Sequence, residues 1–189
     1  MEENWKQEIY EKIACEISKC RSCDLHKTRI NPVPGEGNLS TKIMLVGEGP
    51  GANEDKQGRP FVGDAGKILD SLLASIGLFR QDVYIGNTVK CRPPNNRTPT
   101  SIEIETCKPF LIAQIALIIP KVIVVLGNAA LISLLGEGFS ISKVRGSLLE
   151  KDGISYFPTF HPAAALYRRE VLDIIQTDFY KLQQIIKDK

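Results

Sequence analysis

Four of the five cysteines stand as two pairs, Cys20-Arg-Ser-Cys23 and Cys91 with Cys107, the second spaced C-x15-C. A C-x-x-C pair lets two thiolates converge on one metal, and four soft sulfur ligands suit either zinc or an iron–sulfur cluster. The spacing leaves both open, along with a reading in which the four are unrelated buried thiols. In a reducing compartment such a set points to metal chemistry over disulfides. A metal here would tie residues 20–23 to residues 91–107 and act structurally. Cys15 falls within a helical stretch and reads as a buried structural thiol. Other residue types fit for chemistry are Glu48, Glu54 and Asp55 after an apolar run, Asn87 at the end of another, and His161 before Pro162. His26 has no such context and reads as a surface residue.

The elements that must position these groups are organised around Lys42 to Gly63, KIMLVGEGPGANEDKQGRPFVG. Ile43 to Val46 is an unbroken apolar run, the pattern of a central parallel strand covered on both faces. Gly47-Glu48-Gly49-Pro50-Gly51 stops it, with glycines that permit close approach by a ligand. In open α/β sheets ligands bind beyond the carboxyl ends of the strands, where this loop would lie. Upstream, the periodicity predicts a helix over 5–19 with Ile9, Ile13 and Ile17 on one stripe, then a turn-rich loop over 31–38. Downstream, a helix opens at Asp64 and stops at Gly77, and a strand covers 83–87. Thr100-Ser-Ile-Glu103 is a capping box that starts a helix carrying Cys107. A strand over 122–126 leads to a helix opening at Gly127. Residues 143–150 and 154–160 read as two strands around Lys151-Asp-Gly153. A terminal helix buries Ile174, Ile175, Leu182, Ile185 and Ile186. Strands alternating with helices imply a parallel sheet in an α/β sandwich.

The 189 residues, with 24 basic and 22 acidic side chains and a net charge of +2, fit one domain. A chain of this size buries about 70% of its unfolded surface. The near balance of charge gives no global sign of nucleic-acid binding, so any such face must come from local clustering. The amino terminus lacks the basic and apolar regions of a secretory signal. Residues 110–126 are interrupted by Gln114 and by Pro120-Lys121, so they read as helix then strand, with no membrane span. The expectation is a soluble, intracellular, monomeric protein with no membrane partner.

The stretches GEGPGANEDKQGRPFVGDAGKILD, NTVKCRPPNNRTP and HPAAALYR, in that order and with four cysteines at these spacings, resemble the family 4 uracil-DNA glycosylases. These are the iron–sulfur enzymes of that superfamily in bacteria and archaea. The resemblance runs from about Cys20 to Arg168. It implies a three-layer α/β/α sandwich around a mainly parallel four-stranded sheet, one glycosylase domain over 1–189, and a [4Fe-4S] cluster held by Cys20, Cys23, Cys91 and Cys107. The implied reaction is hydrolysis of the N-glycosidic bond of uracil in single- or double-stranded DNA. It leaves an abasic site for base excision repair in a prokaryotic cytoplasm, at the nucleoid. A replication clamp as partner is not readable from the sequence.

The resemblance also implies residue roles. Phe61 corresponds to the aromatic that stacks on the flipped base. Asn87 matches the residue that bonds uracil O4 and N3–H, since an amide offers both acceptor and donor. Glu54 corresponds to the residue beside C5, where thymine's methyl group would clash. Gly49 and the backbone around Glu48 belong to the loop that positions water. The prototype uracil-DNA glycosylases carry an aspartate in that motif, so no carboxylate base is obvious here. Catalysis then rests on His161 as a hydrogen-bond donor to the departing uracilate O2, with Glu48 assisting the oxocarbenium-like sugar electrostatically. Leu166 or its neighbours would fill the gap in the duplex. Arg59, Arg92, Arg97 and Arg168 are candidate phosphate contacts.

Three other readings compete. A cross-linking relative within the superfamily carries a basic insert with an extra histidine after the second strand, where this chain reads RPPNNRTP. A four-cysteine metal module could bind nucleic acid without catalysis. A nucleotide-binding domain could cradle phosphate in GEGPG, but that loop lacks the G-x-G-x-x-G spacing and any P-loop lysine.

Overall fold

The computed structural model describes residues 4–187. Its elements are α1 (Asn4–Lys19), β1 (Glu36–Gly37), β2 (Ile43–Gly47), α2 (Ala52–Gln57), α3 (Asp64–Ser75), β3 (Tyr84–Asn87), α4 (Ser101–Ile118) and β4 (Val122–Leu126). These are followed by α5 (Asn128–Leu135), α6 (Ile141–Val144), β5 (Leu149–Lys151), β6 (Ile154–Thr159) and α7 (Arg169–Lys187). The strands form one sheet in the order β1-β3-β2-β4-β6-β5. The inner four, β3, β2, β4 and β6, are parallel, as the apolar runs require. Two short edge strands, β1 and β5, pair antiparallel and bring the sheet to six.

Alternation along the inner strands builds two cores, one on each face. Leu45, Val124 and Phe157 face α3 and α7, meeting Leu69, Leu72, Leu73, Ile175, Phe179 and Leu182. Met44, Val46, Ile123 and Val125 face the other way, toward Leu111 and Ile118 of α4 and Ala130 and Leu131 of α5. The result is the expected helix–sheet–helix sandwich. The capping box is present: Glu103 N–H donates to Thr100 Oγ1 (3.2 Å), and Thr100 N–H donates to Glu103 Oε2 (2.7 Å). No helix among the described residues is long and apolar enough to cross a membrane.

Two local expectations are corrected. Residues 143–150 are not one strand: Ile141–Val144 is a helical turn, and the chain joins the sheet only at Leu149. Arg145 is drawn across the molecule instead, its Nε and Nη2 donating to Asp178 at 3.0 and 2.7 Å. The chain then turns at Gly146 with φ +69°. Cys15 is exposed, not buried. It lies two residues before buried Ile17, which at 100° per residue places it on the opposite side of α1.

Asp178 is fully buried and accepts from both Arg145 and Thr159 Oγ1 (2.7 Å), joining α7 to the end of β6. Removing it strands a cation and a buried hydroxyl. Asp178→Ala should therefore cost on the order of 3 kcal/mol in urea denaturation, well beyond a surface change.

Candidate active site

The four parallel strands run in one direction, so their carboxyl ends share one edge of the sheet. There, Gly47 ends β2 and Glu48 follows it, Asn87 ends β3, Gly127 follows β4 and His161 comes just after β6. The β2–β3 ladder continues past the strands, with Thr88 N–H donating to Gly47 O (2.9 Å) and Val89 N–H to Glu48 O (3.2 Å). A cleft of about 430 Å³ opens on this edge, lined by Glu48, Gly49, Glu54, Phe61, Asn87 and His161. Pro93, Asn96 and Arg97 form one rim and Ala163 and Tyr167 another.

Register puts Gly47 directly opposite Asn87. A Cβ on Gly47 would lie 2.6 Å from Asn87 Oδ1 and 2.7 Å from Phe61 Cζ, so the missing side chain lets amide and ring close over the floor. Asn87 is 2% exposed, yet its Oδ1 has no hydrogen-bond partner. A buried acceptor without a donor is rare enough to need an explanation, and here it faces a cleft. Behind it, fully buried Lys90 donates to Asn87 O (2.8 Å) and Gln114 Oε1 (2.7 Å), and Gln114 Nε2 donates to Pro34 O (2.7 Å). Burial lowers the Lys90 pKa to about 8.

Phe61 and His161 stack, with ring centroids 5.4 Å apart at 25°. Glu54 is held on α2, where its Oε1 accepts from the backbone N–H groups of Val62 and Gly63, both at 2.8 Å. His161 heads a short 3₁₀ turn over Pro162–Leu166, and its Nδ1 accepts from Ala163 N–H at 3.2 Å. With Nδ1 used as acceptor, the neutral ring carries its proton on Nε2 and is a donor there. Burial pushes the His161 pKa down to about 4, against the opposing pull of the Glu54 carboxylate. The imidazole is therefore neutral at physiological pH. Because its folded value lies below the ordinary 6.5, stability from this group is complete above that value and is lost as pH falls toward 4. Burial also raises the pKa of Glu48, opposed by a hydrogen bond with Thr98.

The cysteines gather at the far end of the 91–107 loop. Cys91 and Cys107 are buried with Leu25 and Val89, and Cys23 packs against them. Cys91 lies near enough to Cys20 and Cys23, and Cys107 to Cys91 and Cys23, for a negative charge on one sulfur to oppose ionisation of the next. Burial pushes the Cys107 thiol up to about 11 and raises Cys91 and Cys23 as well. Two donors point at sulfur: Arg29 Nη1 to Cys91 Sγ (2.9 Å) and Lys90 N–H to Cys107 Sγ (3.3 Å). Among the described residues no three His, Cys, Asp or Glu side chains converge on a single ion. An all-sulfur set with outer N–H donors fits a cluster, whose thiolates sit on different irons and need not meet at one point.

The other residues singled out from the sequence are more dispersed. Leu166 is 48% exposed beside the cleft, and Arg168 is exposed two residues on. Arg92 Nε donates to Asn96 Oδ1 (2.7 Å), and Arg97 pairs with Glu103 (2.7 Å) on the cleft rim. Arg59 is bound to Glu36 (2.7 Å) and does not line the cleft. Tyr167, 87% exposed, and the buried pair Lys90–Gln114 were not singled out beforehand. An exposed tyrosine directly after Leu166 was a readable signal; a lysine one residue before a cysteine was not. A larger depression of about 510 Å³ lies elsewhere, between α4, α5 and the β5–β6 hairpin, with Ile112, Ile115, Ile132 and Tyr156 along it. Its titratable groups are Glu105, Lys108, Glu137, Lys151 and Asp152 besides Tyr156, and none of the site residues reaches it.

The fold and site define an α/β/α protein with an amide, a histidine and an aromatic converging in one cleft at the strand ends. The chain matches the uracil DNA glycosylase superfamily over residues 34–183 and belongs to it. It is 50% identical over 186 residues to the type-4 uracil-DNA glycosylase of Thermotoga maritima, covering 96% of this chain and 97% of that one. Against the type-4 enzyme of Sulfurisphaera tokodaii the identity is 50% over 185 residues, 93% and 84% of the two chains. Against that of Archaeoglobus fulgidus it is 46% over 190 residues, 96% of each.

Gly47 has ordinary strand geometry, so Gly47→Ala should fold normally by circular dichroism. It should nevertheless lose uracil release by about 100-fold, because its methyl group displaces Asn87 or Phe61 from the pocket floor. The rate of uracil release by the unmodified protein should show no ionisation near 6.5 between about pH 6 and 8, since His161 stays neutral throughout.

Proposed function

We propose that this protein is a monofunctional uracil-DNA glycosylase that flips uracil from DNA and hydrolyses its N-glycosidic bond, releasing uracil and leaving an abasic site for base excision repair. The observation that carries the reading is the orphaned Oδ1 of buried Asn87 at the floor of the cleft. Uracil's N3–H is the donor it lacks, and the amide nitrogen supplies the donor for O4. Cytosine, with an acceptor at N3 and an amino group at C4, would leave both ends of the amide mismatched. Phe61 stacks on the base, and Glu54, fixed by two backbone donors, occupies the space that thymine's methyl group would need.

Bond cleavage places negative charge on uracil O2. His161, neutral and donating from Nε2, is suited to that oxygen, and its orientation is set before the substrate arrives. Gly49 and the backbone beside Glu48 position the water. Glu48, partly desolvated at the cleft wall, sets its charge against the cationic sugar. Tyr167 and Leu166 fill the gap that a displaced base leaves, and Arg168 meets phosphates together with Arg97 on the facing rim and Arg92, which is bound to Asn96 of that rim. Arg59 stands apart from this face, engaged with Glu36.

Cys20, Cys23, Cys91 and Cys107 would hold a [4Fe-4S] cluster, which supplies a covalent tie between the amino-terminal segment and the loop carrying the cleft rim. The chain acts as a monomer and as one catalytic unit in the cytoplasm, on single- and double-stranded DNA. The all-sulfur donor set and the identity to type-4 enzymes support this reading.

The test is uracil release from single-stranded and guanine-paired oligonucleotides by anaerobically purified protein, with alkali cleavage to reveal abasic sites and iron measured on the same samples. Wild type should be active, and Asn87→Ala and His161→Ala should each lose about 10²- to 10³-fold. An iron-loaded, folded wild type that releases no uracil would leave a four-cysteine nucleic-acid-binding module. Arg168→Ala should weaken duplex binding and lower the slope of log affinity against log salt by about 1.

A further inference from the structure

Phe61 has φ +51°, a left-handed backbone that bulky residues rarely adopt. Something must hold it there. The peptide that joins Phe61 to Val62 is gripped at both ends: its N–H donates to Glu54 Oε1 (2.8 Å), and its carbonyl accepts from Arg80 Nη2. Arg80 Nη1 also donates to the preceding carbonyl, Pro60 O, at 3.0 Å. The guanidinium is itself fixed from behind, Nη1 by Glu36 (3.1 Å) and Nε by Asp70 (2.7 Å). Gly66, in the first turn of α3, completes the seat, because a Cβ there would overlap the Phe61 carbonyl oxygen.

We propose that Arg80 is a positioning residue of the base pocket: by holding the Phe61 carbonyl it fixes both the Phe61 ring and the Glu54 carboxylate, without touching the base. Arg80 does not line the cleft. Its fork of donors reaches two consecutive carbonyls and two carboxylates at once, which a lysine's single ammonium cannot reproduce. If the carbonyl were released, the Phe61–Val62 peptide would be free to rotate. The aromatic ring would then leave its stack on His161, and Val62 N–H would leave Glu54. The inference rests on the proposed stacking role of Phe61.

Arg80→Gln, Arg80→Lys, Phe61→Leu and the double variant Arg80→Gln/Phe61→Leu would be compared by single-turnover uracil release. Binding to duplex with a tetrahydrofuran abasic analogue, which has no base to place in the pocket, and thermal denaturation would be measured alongside. Arg80→Gln should lose about 10- to 100-fold in rate with unchanged affinity for the abasic duplex. Arg80→Lys should not restore the rate, and the double variant should be no slower than Phe61→Leu alone. The proposal is overturned by a wild-type rate in Arg80→Gln, by losses that multiply in the double variant, or by a loss matched in abasic binding. A wild-type rate in Phe61→Leu, with wild type active, would remove the stacking role itself. Should Arg80→Gln fail to fold, Asp70→Ala, which removes the acceptor of Arg80 Nε, should show a smaller loss in the same direction; no loss there would overturn the proposal.

Discussion

Gly47 and Asn87 face each other at the last rung of two parallel strands, and the depth of the pocket follows from that register. Parallel pairing carries both strands to the same edge, so an amide from β3 and a bare backbone from β2 arrive side by side. The absence of a side chain on Gly47 lets Phe61 settle against that amide. Every other element of the cleft is arranged on this floor: α2 delivers Glu54, the turn after β6 delivers His161, and the 91–107 loop raises a rim. A shift of one residue in the β2–β3 pairing would turn Asn87 to the opposite face of the sheet. The buried ladder of Val46, Leu45 and their neighbours resists that shift with the whole hydrophobic core.

The polar groups behind the floor are costly to bury and are matched accordingly. Lys90 lies wholly inside, its ammonium shared between the Asn87 carbonyl and Gln114, which is in turn anchored to Pro34. Asp178 compensates Arg145, and Asp55 accepts from the amides of Ile30 and Asn31. Each network joins segments far apart in sequence, so the cleft is shaped by contacts that no local stretch contains. Left unpaired, any of these groups would destabilise the fold; satisfied, they hold one arrangement of the strand ends.

The sandwich was legible because its signals are local and long. Ile43 to Val46 and Val122 to Leu126 are uninterrupted apolar runs, and the capping box at Thr100 is a four-residue statement of a helix start. The edge strand β1 was not legible, since two residues at Glu36–Gly37 carry no periodicity. Helix α2 escaped for the same reason: six residues hold too few turns to show a stripe. The 143–150 stretch misled because Arg145 and Gly146 answer to Asp178, more than thirty positions away. At the site, Asn87, Phe61 and His161 were visible through their flanking motifs. Arg80 and Lys90 were not, because their meaning lies in the carbonyls that they grip, and a sequence does not display carbonyls. Cys91 and Cys107 are buried together, whereas Cys15, expected inside, turned outward on the same helix that buries Ile17.

His161 receives a hydrogen bond from the amide two residues beyond it, and that small loop fixes what the ring can offer a ligand. An imidazole whose Nδ1 is committed in this way, and whose burial keeps it uncharged, has a proton to share but no surplus proton to surrender. It can steady a base that departs as an anion. It cannot serve as an acid to one that must be protonated before it departs. If this ring attends the leaving base as proposed, it favours heterocycles that are stable as anions and gives no help to a base that must gain a proton before it departs.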